Sequence, residues 1–280
     1  MKYLKHLLVI VFKILSGSYS YPKITLLFSY IRLVSKSISY HKLPSQKRLR
    51  KEVMNERILD FTIQFYSYPE LIYLFEEIFI QQVYKFQCNT SNPFIIDCGS
   101  NIGMSIFYFK KIFPNATILA FEPELKTFKI LKENVERNNL ENISLLNYAL
   151  SDFEGSASLF VRNLPNASLN TGLISSDVDS HREEVQTKRL SGYIQEMVTM
   201  LKIDVEGSEA QILKDIIEHK KTDLIQQMII EFHPNVLPES VQYYSQLLKQ
   251  KHLFCAESGE NPGIISKDVI RHFFNNRLLK

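Results

Sequence analysis

Apolar and polar positions along this chain follow two regimes that meet near Phe94. From there on, apolar runs at 94–98, 117–121, 143–148, 200–204 and 228–232 alternate with stretches of helical spacing at 104–112, 125–138 and 209–218. Alternation of this kind predicts a parallel sheet with crossover helices, and runs this uniformly apolar suit strands buried on both faces. A helix over 239–251 and strands over 253–256 and 269–273 are expected to close the sheet. Residues 153–189 are polar with little periodicity and read as a long irregular connection, of the kind that serves as a lid or substrate loop.

Before Phe94 the pattern differs. Residues 1–50 read as basic amphipathic helices, 61–66 as a strand, and 71–86 as a helix with an acidic patch at Glu76 and Glu77. A proline and a charge cluster over 42–51 mark a boundary. The expected organisation is therefore a helical extension at 1–51, a lead-in strand and helix packing on the core at 52–93, and a cofactor-binding domain at 94–280.

Charge sharpens this division. The formal balance is only +3, yet residues 1–50 hold ten Lys and Arg and no Asp or Glu, which leaves the remainder about seven charges negative. The first apolar run is broken by Lys13 and falls short of the roughly 20 residues a bilayer span requires. Peripheral contact of residues 1–50 with an anionic membrane is one reading, and a helical cap with a solvated basic face is the other. An acidic catalytic part argues against nucleic acid as a partner. Three well-separated cysteines, Cys88, Cys98 and Cys255, offer neither a disulfide framework nor a zinc site, so a reducing, cytoplasmic compartment is expected. Oligomeric state stays open.

The chemistry begins at the first buried strand, which ends in Asp97 and runs into a turn carrying Gly99, Asn101 and Gly103. Glycine and asparagine tolerate the left-handed backbone such a turn needs. Glu122 ends the next strand about 20 residues past the turn, where a carboxylate can accept from both hydroxyls of a ribose. Ser151 and Asp152, Asp204 and Glu206, and Glu231 and His233 end the following strands, placing polar groups around the crevice where ligands of open α/β sheets bind. Asn101 replaces the glycine a pyrophosphate would require, Asp97 would repel a pyrophosphate, and no Lys or Arg flanks the turn. A cationic S-adenosylmethionine fits these features better than a nicotinamide dinucleotide. A dehydrogenase, or a non-catalytic cofactor-binding scaffold at a membrane, remains the alternative.

Five blocks occur in order: Ile95 to Gly103, Ala120-Phe121-Glu122-Pro123, Ala149-Leu150-Ser151-Asp152, Leu201-Lys202-Ile203-Asp204-Val205-Glu206-Gly207 and Ile230-Glu231-Phe232-His233-Pro234. Together they closely resemble the FkbM family of S-adenosylmethionine-dependent methyltransferases, over about residues 60–235. The resemblance implies a class I methyltransferase fold, Rossmann-like, with a seven-stranded, mostly parallel sheet and helices on both faces. It also implies methyl transfer to a hydroxyl of a glycan, polyketide or other small metabolite. The segment before Arg50 has no counterpart in the family core.

An alcohol needs its proton removed before it attacks a methyl group, so a general base is expected within hydrogen-bond reach. His233, with an ordinary pKa of about 6.5, and Asp204 are the catalytic candidates. Asp97, Gly99, Asn101, Gly103, Glu122, Ser151 and Asp152 are the cofactor-binding candidates. Lys202 shares a sheet face with Asp204 and is expected to pair with a carboxylate. Asp204, Glu206 and Glu231 could ligate magnesium, but the favoured reading is metal-free.

Overall fold

The computed structural model describes residues 2–42, 53–162, 171–172, 180–233, 240–250, 253–256 and 269–275. Of the boundary expected at 42–51, only Lys42 lies within them. Helices α1 (Lys2–Ser16) and α2 (Lys23–His41) are followed by an antiparallel hairpin, β1 (Met54–Ile58) and β2 (Phe61–Phe65). Helix α3 (Tyr68–Leu74) then runs directly into a π-helical turn, Phe75–Ile80. A π turn leaves backbone carbonyls poorly placed for their own helix. Here Tyr21 and Tyr19 donate their hydroxyls to the carbonyls of Phe79 and Ile80, at 2.5 and 3.0 Å.

The acidic pair Glu76 and Glu77 is buried. Tyr30 donates to Glu76 at 2.7 Å and His6 Nε2 lies 2.9 Å from the same carboxylate. A buried carboxylate needs such partners, and these bind both α1 and α2 to the π turn.

The central sheet begins with β3 (Phe94–Cys98), followed by α4 (Met104–Ile112), β4 (Thr117–Phe121), α5 (Leu125–Arg137) and β5 (Ile143–Leu146). The chain then leaves it for a smaller sheet: β6 (Ala149–Ser151), β7 (Gly155–Arg162), β8 (Thr171–Gly172) and β9 (Ser180–Arg189). The irregular connection expected at 153–189 is thus corrected by β7 and β9, which pair antiparallel over their length; residues 163–170 and 173–179 lie outside the described part. The core of this sheet is only Ala149, Leu159, Val161 and Val185, too few apolar positions to produce a readable alternation.

Strand β10 (Met200–Ile203), helix α6 (Glu209–Glu218), strand β11 (Gln227–Phe232), helix α7 (Ser240–Gln250) and strands β12 (Leu253–Ala256) and β13 (Val269–Asn275) complete the described chain. The central sheet has seven strands in the order β12-β13-β11-β10-β3-β4-β5. All neighbours are parallel except for β13, which runs antiparallel to both β11 and β12. This is the mostly parallel sheet expected, and its pleat separates two cores. Ile95, Ala120, Met200 and Ile229 join α4, α5, the π turn and the inner faces of α1 and α2. Ile96, Phe121, Leu201 and Ile230 join α6 and α7 on the opposite side. Period-two alternation puts Asp97, Lys202 and Glu231 on the first of these faces, beneath the π turn.

Candidate active site

The turn after β3 is built around Gly99. Its backbone has φ +83°, and a Cβ there would lie 1.8 Å from the carbonyl oxygen of Asp204, so no side chain can be accommodated. Asn101 takes φ +48° and donates its backbone N–H to Glu122 Oε2 at 2.9 Å, while Glu124 N–H reaches Oε1 at 3.0 Å. Each carboxylate oxygen keeps a second acceptor direction. Burial pushes the Glu122 carboxyl up to about 8, against the opposing pull of those two N–H groups. The turn and Glu122 are thus joined directly.

Asp97 is fully buried and already engaged. Ser105 of α4 donates to Oδ2 at 2.5 Å, and the Lys202 ammonium lies 3.0 Å from Oδ1. The same ammonium donates to the Gly99 carbonyl at 2.8 Å and lies 3.4 Å from Asp204 Oδ2. One sequence expectation changes here: a lysine does flank the turn, arriving from a neighbouring strand. Lys202 pairs with the Asp97 carboxylate, the kind of partner expected of it. Burial works against the Lys202 charge, but the carboxylates of Asp97 and Asp204 outweigh it and raise its pKa. The ammonium also sits 5.1 Å from the centre of the Tyr84 ring, within cation–π range.

Asp204 follows β10 and is partly exposed. Besides Lys202 it accepts the Tyr84 hydroxyl at 2.9 Å. Tyr84 comes from the segment after the π turn, 120 positions away, and no sequence signal connects the two. Burial, reinforced by the Asp204 and Glu231 charges, drives the Tyr84 pKa well above its ordinary value, so the phenol stays a donor.

His233 follows β11. Its Nδ1 lies 2.8 Å from Glu209 Oε1 in the first turn of α6, and its Nε2 lies 3.4 Å from Glu206 Oε2. Glu209 also accepts the Gly207 N–H at 3.0 Å, which fixes the carboxylate. Glu206 holds φ +54°, a left-handed conformation uncommon outside glycine and asparagine. Burial disfavours the imidazolium, yet the Glu209 hydrogen bond and the Glu206, Glu209 and Asp204 charges raise its pKa to about 10. The expectation of an unperturbed base near 6.5 is therefore corrected: the carboxylates around His233 favour its imidazolium form. Glu209 was not anticipated, although an acid in the first turn of a helix after the Glu206-Gly207 pair was a readable cue.

Asp204, Glu206 and His233 each offer a ligand atom, all within 4.8 Å of one another. Glu231, the third acid of the magnesium expectation, is not in this group and lies near Tyr73 and Tyr84 instead. Ser151 donates its hydroxyl to Asp152 at 3.4 Å, and Lys214 of α6 donates to Asp152 at 2.6 Å and holds its pKa below the ordinary range. Cys98 is buried, which pushes its thiol pKa well up and makes it a packing residue.

Residues 97–252 match the methyltransferase FkbM domain. Among relatives, Methyltransferase 1 of Beauveria bassiana is 30% identical over 197 residues, covering 61% of this chain and 78% of its own. The 31-O-demethyl-FK506 methyltransferase FkbM of Streptomyces tacrolimicus is 28% identical over 204 residues, with the same two shares. The hexuronic acid methyltransferase AglP of Haloferax volcanii is 30% identical over 147 residues, covering 52% of this chain and 58% of its own. The dehydrogenase alternative has no counterpart among these matches. The glycine turn tied to Glu122, the sheet order and the domain match agree: this chain belongs to the FkbM family of S-adenosylmethionine-dependent methyltransferases.

Proposed function

We propose that the chain methylates a hydroxyl oxygen on a glycan, polyketide or other small metabolite. The observation carrying this reading is Asp204, held between Tyr84 and Lys202 next to the glycine turn, with His233 at the end of the adjacent strand. Relatives named as a 31-O-demethyl-FK506 methyltransferase and a hexuronic acid methyltransferase support an oxygen acceptor. Glu122 and the turn N–H groups would hold the ribose, leaving the crevice beyond β10 and β11 for the acceptor.

S-adenosylmethionine supplies an electrophilic methyl group on a sulfur that leaves as a neutral thioether. Asp204 takes the acceptor's hydroxyl proton as the new O–CH3 bond forms. His233, with its Nδ1 committed to Glu209, is suited to donate through Nε2 toward the acceptor oxygen by exchanging its longer 3.4 Å contact with Glu206. Tyr84 and Lys202 keep the Asp204 carboxylate oriented, so much of the rate comes from positioning.

Turnover of hydroxylated acceptors by the purified protein, with the product examined for a methyl ether, tests the reading. Asp204→Asn should lower kcat by about 10²–10⁴-fold, the range for general base catalysis, while the cofactor Kd changes little. An N-methylated product, or unchanged turnover in that variant, would overturn it.

A further inference from the structure

Helices α1 and α2 each carry two apolar faces, and only one of each is covered. Ile10 and Ile14 of α1, and Leu26, Tyr30 and Leu33 of α2, are buried against the π turn, the hairpin and α3. On the other side, Leu8, Phe12 and Leu15 form an exposed stripe at spacings of four and three, and Ile24, Phe28 and Ile31 repeat the same spacing on α2. Phe12 is 70% exposed and Phe28 66% exposed. Eight of the fourteen large apolar side chains exposed among the described residues fall on these two helices, so the pattern is a patch rather than scattered surface.

Charge selects the occupant. This segment is the one with ten Lys and Arg and no acid, attached to a body of opposite sign. Exposed Lys5 flanks the α1 stripe and Lys42 ends the α2 stripe. A second copy docking symmetrically on this face would set like charges against like, Lys5 and Lys42 among them. No helix among the described residues is long and apolar enough to cross a membrane. An apolar stripe rimmed by cations, too short to span, is the design of a helix lying in a lipid interface.

We propose that α1 and α2 seat the enzyme on an anionic lipid surface, with Phe12 and Phe28 entering the headgroup boundary and Lys5 and Lys42 facing the lipid phosphates. His6, Tyr19, Tyr21 and Tyr30, bonded to the π turn, then fix the catalytic domain relative to that surface. The inference is independent of which acceptor is methylated.

Flotation of the full chain with phosphatidylcholine vesicles, with and without phosphatidylglycerol, tests it. The expected result is partition onto the anionic vesicles only, weakened by salt. Phe12→Glu/Phe28→Glu should lower that affinity about a hundredfold, from loss of two inserted aromatic side chains, while cofactor affinity and the unfolding midpoint stay unchanged. Lys5→Glu/Lys42→Glu gives a second route, weakening binding to anionic vesicles without touching the apolar stripes. A wild-type chain that stays off anionic vesicles overturns the proposal, as does equal partition of both variants. A dimer in sedimentation that Phe12→Glu/Phe28→Glu dissolves, without vesicle binding, would assign the face to a second copy instead.

Discussion

Replacing Lys202 by Met removes a single positive charge that serves two carboxylates and the carbonyls of Cys98 and Gly99 at once. Its ammonium lies 3.0 Å from Asp97 and 3.4 Å from Asp204 and donates to the Gly99 carbonyl, with the side chain only 2% exposed. Breaking a buried ion pair from one side typically costs about 3–5 kcal/mol, because the remaining charge keeps its desolvation penalty without its partner. Lys202→Met should therefore destabilise by about 4 kcal/mol, a large share of the roughly 5–15 kcal/mol available to a folded domain. At about 2–4 °C per kcal/mol, the midpoint falls by about 8–16 °C. Asp97→Asn alone should cost less, since Asp204 still pairs with the ammonium. A double-mutant cycle by urea denaturation isolates the pair: Lys202→Met/Asp97→Asn should be about 2–3 kcal/mol more stable than the sum of the single effects predicts. Additive single costs, or a loss below about 1 kcal/mol for Lys202→Met, would show that the pair is screened and that the turn is held by something else.

Gly99→Ala should abolish cofactor binding and destabilise strongly, because its Cβ meets the Asp204 carbonyl, whereas Gly192→Ala, with nothing within 4 Å, should be neutral; calorimetry on both proteins separates the cases. His233 has a folded-state pKa raised to about 10, so its ion pairing stabilises fully below about pH 6.5 and is lost as pH rises through 10. Denaturation midpoints should thus decline from pH 7 to 10, and His233→Gln should flatten that decline; a parallel slope in the variant would contradict the assignment. A metal-free mechanism predicts that exhaustive chelation leaves turnover unchanged, and activity lost in chelator but restored by magnesium would place a cation among Asp204, Glu206 and His233.

What could be read from the sequence was what local pattern determines. The five parallel strands announce themselves as apolar runs, and the link between Asn101 and Glu122 follows from a glycine turn with an acid one βα unit later. The hairpin start at Met54–Ile58 was hidden because its turn uses Leu59 at φ +53° followed by Asp60, with neither the glycine nor the asparagine that normally marks such a turn. Strand β9 was hidden by its charge, since Ser180–Arg189 buries little beyond Val185 and Thr187. At the site, residue types at strand ends were legible but their protonation was not. The state of His233 depends on Glu209, 24 positions earlier, and the partners of Asp204 are a tyrosine and a lysine brought in by tertiary packing.

The strand order imposes a schedule on synthesis. One edge of β11 is covered by β10, but the other is covered only by β13, which the ribosome makes much later. Strand β12 emerges sooner yet pairs with β13 alone, so it cannot shield the gap. Until Val269–Asn275 has been translated, Gln227–Phe232 remains an open, apolar edge beside a half-built catalytic crevice. Nascent chains halted before Val269 should therefore aggregate or be held by chaperones, and the edge of β11 is closed only by the last described strand.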